Sequence, residues 1–108
     1  ISPERAEDPS VVKAVFTPAN RALYFSRSPV PWGSRVFYQH LGVYCFTPES
    51  LQVCVDSPRG TLAAAEGLEQ LSWMENGIGI SVVPGSWNGM GVDTPQDLEE
   101  AREWFGKN

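Results

Sequence analysis

The chain has 108 residues, 42% of them apolar and 11% aromatic, which is material for one domain with a core and too little for two. Its net charge of −5 and isoelectric point near 4.7 argue against nucleic acid or an anionic membrane as the main partner, but leave open a nucleotide held through a metal. No apolar run approaches the roughly 18 residues of a membrane span, and residues 1–10 lack the charged and apolar regions of a secretory leader.

Residues 1–10 are polar, carry Pro3 and Pro9, and read as a loop; the chain opens at Ile1 rather than Met, as a processed, trimmed or partial chain would. Val11–Thr17 is rich in β-branched and aromatic residues and predicts a strand. A turn over Pro18–Arg21 leads to a second strand, Ala22–Ser26, so the two form a hairpin with apolar residues on both faces. Val12, Ala14 and Phe16 are expected on one face, and Val11, Val15, Leu23 and Phe25 over the other. Such a hairpin is marginal alone and needs a surface to pack on. Pro29, Pro31 and Gly33 then break regular structure. Phe37–Phe46 reads as a third strand, with Gly42 allowing a bulge.

Thr47 is an N-cap with Pro48 at the first helical position, predicting a helix over Pro48–Val55. After the loop Ser57–Gly60, Thr61–Glu66 is a short helix and Leu68–Asn76 a longer one, with Leu68, Leu71, Met74 and Glu75 on one side. Gly77 suits the left-handed position beyond its end. Ile78–Val83 reads as a short strand and Pro84–Gly91 as a Gly-rich loop. The last helix is expected over Pro95–Phe105, burying Leu98, Ala101, Trp104 and Phe105. Thr94 is its N-cap and Asp97 can complete a capping box. The order is that of an α/β chain, with a short mixed sheet covered by the Leu68–Asn76 and Pro95–Phe105 helices. No repeat, linker, P-loop or GxGxxG stretch occurs, so these residues hold no phosphate cradle of the Gly-rich kind.

Asp93 falls on the turn before the last helix. A carboxylate there is a candidate Mg²⁺ ligand, since Mg²⁺ takes one or two carboxylates and fills its shell with water and phosphate; the plainer reading is an acidic residue near a helix dipole. Cys45 and Cys54 have no CxxC spacing and read as free thiols, with Cys45 a small core residue in its apolar run. A catalytic pair of Cys45 with His40 is rejected, because a separation of five residues on a strand puts them on opposite faces.

Four stretches stand out together: Ala22-Leu23-Tyr24-Phe25-Ser26-Arg27-Ser28-Pro29-Val30-Pro31-Trp32, then Tyr38-Gln39-His40-Leu41-Gly42-Val43-Tyr44, then Leu68-Glu69-Gln70-Leu71 with Glu75-Asn76-Gly77, and Gly91-Val92-Asp93-Thr94-Pro95. In this order and spacing they resemble the C-terminal half of the CMP-Kdo synthetases (3-deoxy-manno-octulosonate cytidylyltransferases), from about Val11 to Phe105. The resemblance implies a partial nucleotide-diphospho-sugar transferase-like fold. It implies transfer of CMP from CTP to the anomeric hydroxyl of 3-deoxy-manno-octulosonate (Kdo), releasing pyrophosphate and activating the sugar for lipopolysaccharide assembly. Asp93 then looks like one of two aspartates holding Mg²⁺. Arg27, His40, Glu69 and Gln70 look like the sugar-binding residues, with Tyr44 lining the same pocket. Arg27 can pair with the sugar carboxylate, and His40, Glu69 and Gln70 can share donors and acceptors with hydroxyls. Taken without the resemblance, Arg27 is a loop charge, His40 a satisfied strand histidine, and Glu69 with Gln70 a solvated helix face.

The chain departs from the family's pattern in two ways. No CTP-binding loop and no second metal-binding aspartate precede Val11, so residues 1–108 read as one domain, the sugar-binding and dimerising half, and are expected to be inactive alone. The helix before Leu68 is more apolar than usual, and Ser72 stands where the family usually has arginine. The resemblance also implies a cytoplasmic homodimer, or a higher homo-oligomer, with Kdo and CTP as partners of the complete enzyme. Two other readings remain: a non-catalytic dimerising module, and a cytidylyltransferase for a related acidic sugar.

Overall fold

The computed structural model describes residues 1–86 and 94–107. Its elements run α1 (Pro3–Ala6), β1 (Lys13–Phe16), β2 (Ala22–Ser26), β3 (Tyr38–Gln39), α2 (Pro48–Asp56), α3 (Thr61–Glu66), α4 (Gln70–Glu75) and α5 (Pro95–Lys107). The α/β class, the hairpin and the flanking helices are as the sequence predicts. The hairpin turn is closed by Asn20 N–H to Thr17 O at 2.8 Å, and Asn20 takes φ +62°, a value that Asn tolerates better than most residues.

The sheet has the order β2-β1-β3, and both pairs are antiparallel, rather than the mixed sheet expected from the sequence. Parallel pairing needs a long crossover; β2 instead returns through a tight turn. Ile78–Val83 does not form a strand of its own among the described residues. It docks on the hairpin turn through an antiparallel bridge between Arg21 and Ser81, with Ala22 N–H donating to Ile80 O and Val82 N–H to Asn20 O, each at 2.8 Å.

Register corrects the expected division of the hairpin's faces. Residues directly opposite on an antiparallel pair share a face. Phe25 stands opposite Ala14, and Tyr24 opposite Val15, so Phe25 shares a face with Ala14 and not with Val15. Between Val15 and Phe16 the register slips, Phe16 pairing with Ala22 and leaving Leu23 as the extra residue of a bulge. The core gathers Ala14 and Phe25 from the hairpin, Ala63 from α3, and Leu68 and Leu71 from the α3–α4 corner and α4, with Val12, Ala22, Tyr24, Met74 and Ile80 packed around them. Thus α4 covers the sheet as expected, while α5 gives no residue to this cluster among those described. On α5, Ala101 is buried but Leu98 is exposed, contrary to the amphipathic reading; the side chains of Trp104 and Phe105 lie outside the described residues.

Local chemistry explains the helix starts. Thr47 and Ser50 form a capping box at α2. Thr94 and Asp97 form another at α5, Asp97 N–H donating to Thr94 Oγ1 at 3.0 Å and Thr94 N–H to Asp97 Oδ2 at 3.2 Å. The N-terminal segment, expected as loop, makes the single turn α1, because Ser2 accepts from Arg5 N–H and Pro3 sits at the first helical position. Gly77 is left-handed at φ +83°, as predicted.

α3 is capped from a distance. Gly60 offers no side chain, and the Glu75 carboxylate accepts from Leu62 N–H at 3.0 Å and Ala63 N–H at 3.3 Å. A Cβ on Gly60 would lie 2.0 Å from Glu75 Oε2, the far end of a flexible side chain, so the cost is a lost cap and not a backbone clash. Gly60→Ala is expected to lower stability by about 1–2 kcal/mol in urea melts, and Glu75→Ala by a similar amount. Because both remove the same cap, the double variant is expected to fall little below either single one.

Candidate functional site

The sequence reading extended the third strand to Phe46, but β3 ends at Gln39. His40 N–H still donates to Val12 O at 2.7 Å, and then the chain folds sharply, Val43 N–H donating to Leu41 O at 2.7 Å across Gly42. That turn creates the site. On a straight strand, residues four apart would stand roughly 13 Å from each other. Here His40 Nε2 and the Tyr44 hydroxyl are 2.6 Å apart. The same break overturns the placement of Cys45: with strand alternation lost, Cys45 is exposed and Cys54 is the buried thiol, both being free.

His40 is braced edge-on against Phe25 of the core at 4.8 Å between ring centroids. Tyr44 meets Trp73 of α4 edge-on at 5.1 Å, and Trp73 also meets Phe46 at 5.4 Å. Burial holds the His40 imidazole below its ordinary value, favouring the neutral ring. Burial, and then the charge of Glu69, push the Tyr44 phenol up to about 12, so it stays a hydroxyl. Glu69, exposed at the start of α4, is thus near enough for its charge to act on Tyr44. Gln70, beside it in the first turn of α4, is 5% exposed, so only a small part of it can meet a ligand.

Arg27 is held apart from this pair. Its guanidinium donates Nε–H to Glu66 O at 2.7 Å, and single N–H groups to Gly67 O at 3.3 Å and Pro9 O at 3.0 Å. It thus satisfies carbonyls at the end of α3, where Gly67 is left-handed. Three of five N–H groups are used, and two remain for a ligand anion. The Glu66 carboxylate takes the Arg27 backbone N–H and the Tyr24 hydroxyl, each at 3.0 Å. Burial pushes its pKa up, but these donors together with Ser26 outweigh that and hold it below the ordinary range. Behind them Lys13 is fully buried, its ammonium donating to the carbonyls of Asp8, Val11 and Arg27.

The structure therefore joins His40 to Tyr44, brings the Glu69 charge near enough to act on Tyr44, buries Gln70 in the first turn of α4, and places Arg27 at the corner that leads into Glu69. Asp93 lies outside the described residues, and among the described residues no three His, Cys, Asp or Glu side chains cluster as a metal site. Trp73 and Phe46 were missed in the sequence, where α4 reads as a core stripe of Leu68, Leu71 and Met74 and gives Trp73 no assigned partner.

His40 is the only histidine, so its titration is separable. Its folded pKa is depressed, so its contribution is present above the unfolded value of 6.5 and is lost as pH falls through the folded value. Melting temperature is expected to drop on acidification from pH 7 toward 5.5, with His40→Gln flattening that slope. A slope unchanged in the variant would place its origin elsewhere.

No family model matches the chain. A solved structure of CMP:2-keto-3-deoxy-manno-octonic acid synthetase complexed with CTP superposes with a TM-score of 0.91 at 38% identity, over 99% of this chain and 46% of that one. The fold is thus that of part of a nucleotidyltransferase. Among proteins of known name, the 3-deoxy-manno-octulosonate cytidylyltransferase of Chlorobium limicola is 44% identical over 97% of the chain, and that of Wolinella succinogenes 41% identical over 98%. The resemblance to the CMP-Kdo synthetases therefore holds over nearly the whole chain, which spans 44% and 46% of the length of these two relatives. Among the described residues, no helix is long and apolar enough to cross a membrane.

Proposed function

We propose that this chain is the sugar-binding part of a cytidylyltransferase that transfers CMP from CTP to Kdo for lipopolysaccharide assembly. The observation that carries the reading is the His40–Tyr44 pair, formed by the turn at Leu41–Val43 with the Glu69 charge acting on Tyr44, on a fold that matches a synthetase; we assign the three to one sugar-facing wall. Such a wall suits a polyhydroxylated acid. Rings pack on the sugar's apolar face, the neutral imidazole and phenol donate and accept, and Glu69 accepts from hydroxyls. The two free N–H groups of Arg27 are assigned to the sugar carboxylate. Asp93 is assigned to Mg²⁺, which would offset charge at the attacked phosphate when bound. Two free thiols suit a reducing compartment, here the cytoplasm.

Kdo binding to the chain, followed by isothermal titration, tests this reading. His40→Ala is expected to weaken binding about tenfold, through loss of a hydrogen bond to a partly buried group. Binding that is indifferent to both His40→Ala and Tyr44→Phe would reject the site. The chain alone is expected to release no pyrophosphate from CTP with Kdo and Mg²⁺, because residues 1–108 hold no phosphate cradle of the Gly-rich kind.

A further inference from the structure

The proposed sugar wall is made of two segments, residues 40–46 and the start of α4, some thirty positions apart in sequence. Among the described residues, the ring contacts that join them are both made by Trp73, edge-on to Tyr44 at 5.1 Å and 80° and to Phe46 at 5.4 Å and 81°. Near-perpendicular pairs at this distance are the favoured aromatic geometry, with a ring edge directed at a neighbour's face. Trp73 lies four residues after Glu69 and three after Gln70, spacings that a helix places on one side. Tyr44 in turn is fixed to His40 by the 2.6 Å contact, and His40 to the core through Phe25.

Resting on the sugar-binding reading above, we propose that Trp73 is a positioning residue: it clasps Tyr44 and Phe46 to α4 and so sets the His40–Tyr44 pair at its working separation from Glu69 and Gln70. Trp73 needs no contact with the sugar to do this. Its effect reaches the ligand through Tyr44, whose hydroxyl would swing away if the ring lost its clamp. An aliphatic side chain fills volume but offers no ring for the edge-on contact, whereas phenylalanine retains one. A plain core role makes a different forecast, in which only stability follows side-chain volume.

The test uses the 108-residue chain with Trp73→Leu and Trp73→Phe, read by proton NMR of His40, the chain's only histidine, and by Kdo titration. Trp73→Leu is expected to move the His40 pKa up toward 6.5, as water reaches a loosened ring. It should also weaken Kdo binding about three- to tenfold. Trp73→Phe is expected to restore both. If Trp73→Leu fails to fold, 5-fluorotryptophan in the unmutated chain replaces it: the Trp73 fluorine resonance is expected to shift with Kdo and not with mannose, a neutral sugar. A folded Trp73→Leu whose His40 titration and Kdo affinity match the parent would overturn the proposal, as would a Trp73 resonance blind to Kdo in a chain that binds it. Absence of Kdo binding by the parent would reject the sugar reading, and with it the ligand role of Trp73. The His40 titration would still report whether Trp73 holds the pair, so the two failures are distinguishable.

Discussion

Phe25→Asp is expected to unfold the chain at 25 °C. Phe25 is 1% exposed and touches both halves of the molecule, packing with Ala14, Ala63, Leu68 and Leu71 on one side and bracing His40 at 4.8 Å on the other. Removing a buried phenyl ring costs about 3–5 kcal/mol. Burying a carboxylate in its place adds several more unless the group is protonated. A domain of this size is stabilised by roughly 5–15 kcal/mol in all. Circular dichroism is expected to show no cooperative melt, and the His40 ring protons are expected at random-coil positions. Phe25→Leu, losing about 1–2 kcal/mol with most of the volume kept, is expected to stay folded. A cooperative melt of the aspartate variant near the parent's temperature would show that this cluster is not the core.

Legibility in the sequence followed the range of the interaction. Thr94 with Asp97, Thr47 with Pro48, and Gly77 act on backbone groups within four residues of themselves, and each is found as read. The hairpin was legible for the same reason, since its turn and strands are contiguous. Local composition could not show that the chain abandons the strand after Gln39. Phe37–Phe46 has β-forming residues throughout, yet a two-residue contact from Val43 to Leu41 replaces the ladder. From that one turn follow the meeting of His40 with Tyr44 and the exposure of Cys45. Likewise the resemblance marked Arg27 for a ligand, but its engagement with the α3 carbonyls depends on a helix forty positions away. Leu98 fits a helical apolar stripe, but a stripe is buried only where a neighbour covers it. The resemblance proposed the candidate site residues by position, whereas the contacts of Trp73 with Tyr44 and Phe46 are a matter of packing alone.

We propose that the chain self-associates as a two-fold dimer, which Leu23→Asp is expected to convert into a monomer without unfolding it. The bulge leaves Leu23 outside the core cluster and 60% exposed, beside Val36 at 64% and Tyr38 at 47%. With Ala14, Val15, Phe16 and Pro31 these residues line an open apolar groove of about 290 Å³. Phe16 and Tyr38 meet edge-on at 4.8 Å along it. Helices α3 and α4 cover the hairpin elsewhere, so this groove is the surface we propose a second copy fills. An isologous contact is the commonest closed solution for a self-complementary patch. Burying one leucine contributes about 1.5–3 kcal/mol. Two-fold symmetry counts the loss twice, so the aspartate is expected to weaken association by at least a hundredfold. Light scattering at tens of micromolar is expected to give twice the 11.9 kDa chain mass for the parent and a single mass for Leu23→Asp. The melting temperature of the variant, read at a concentration where the parent is also dissociated, is expected to change little, because Leu23 is 60% exposed and outside the core cluster. A parent of single mass would reject self-association through this face. A variant that keeps the double mass would move the contact elsewhere, with the exposed leucine and valine side chains of α2 next to be examined.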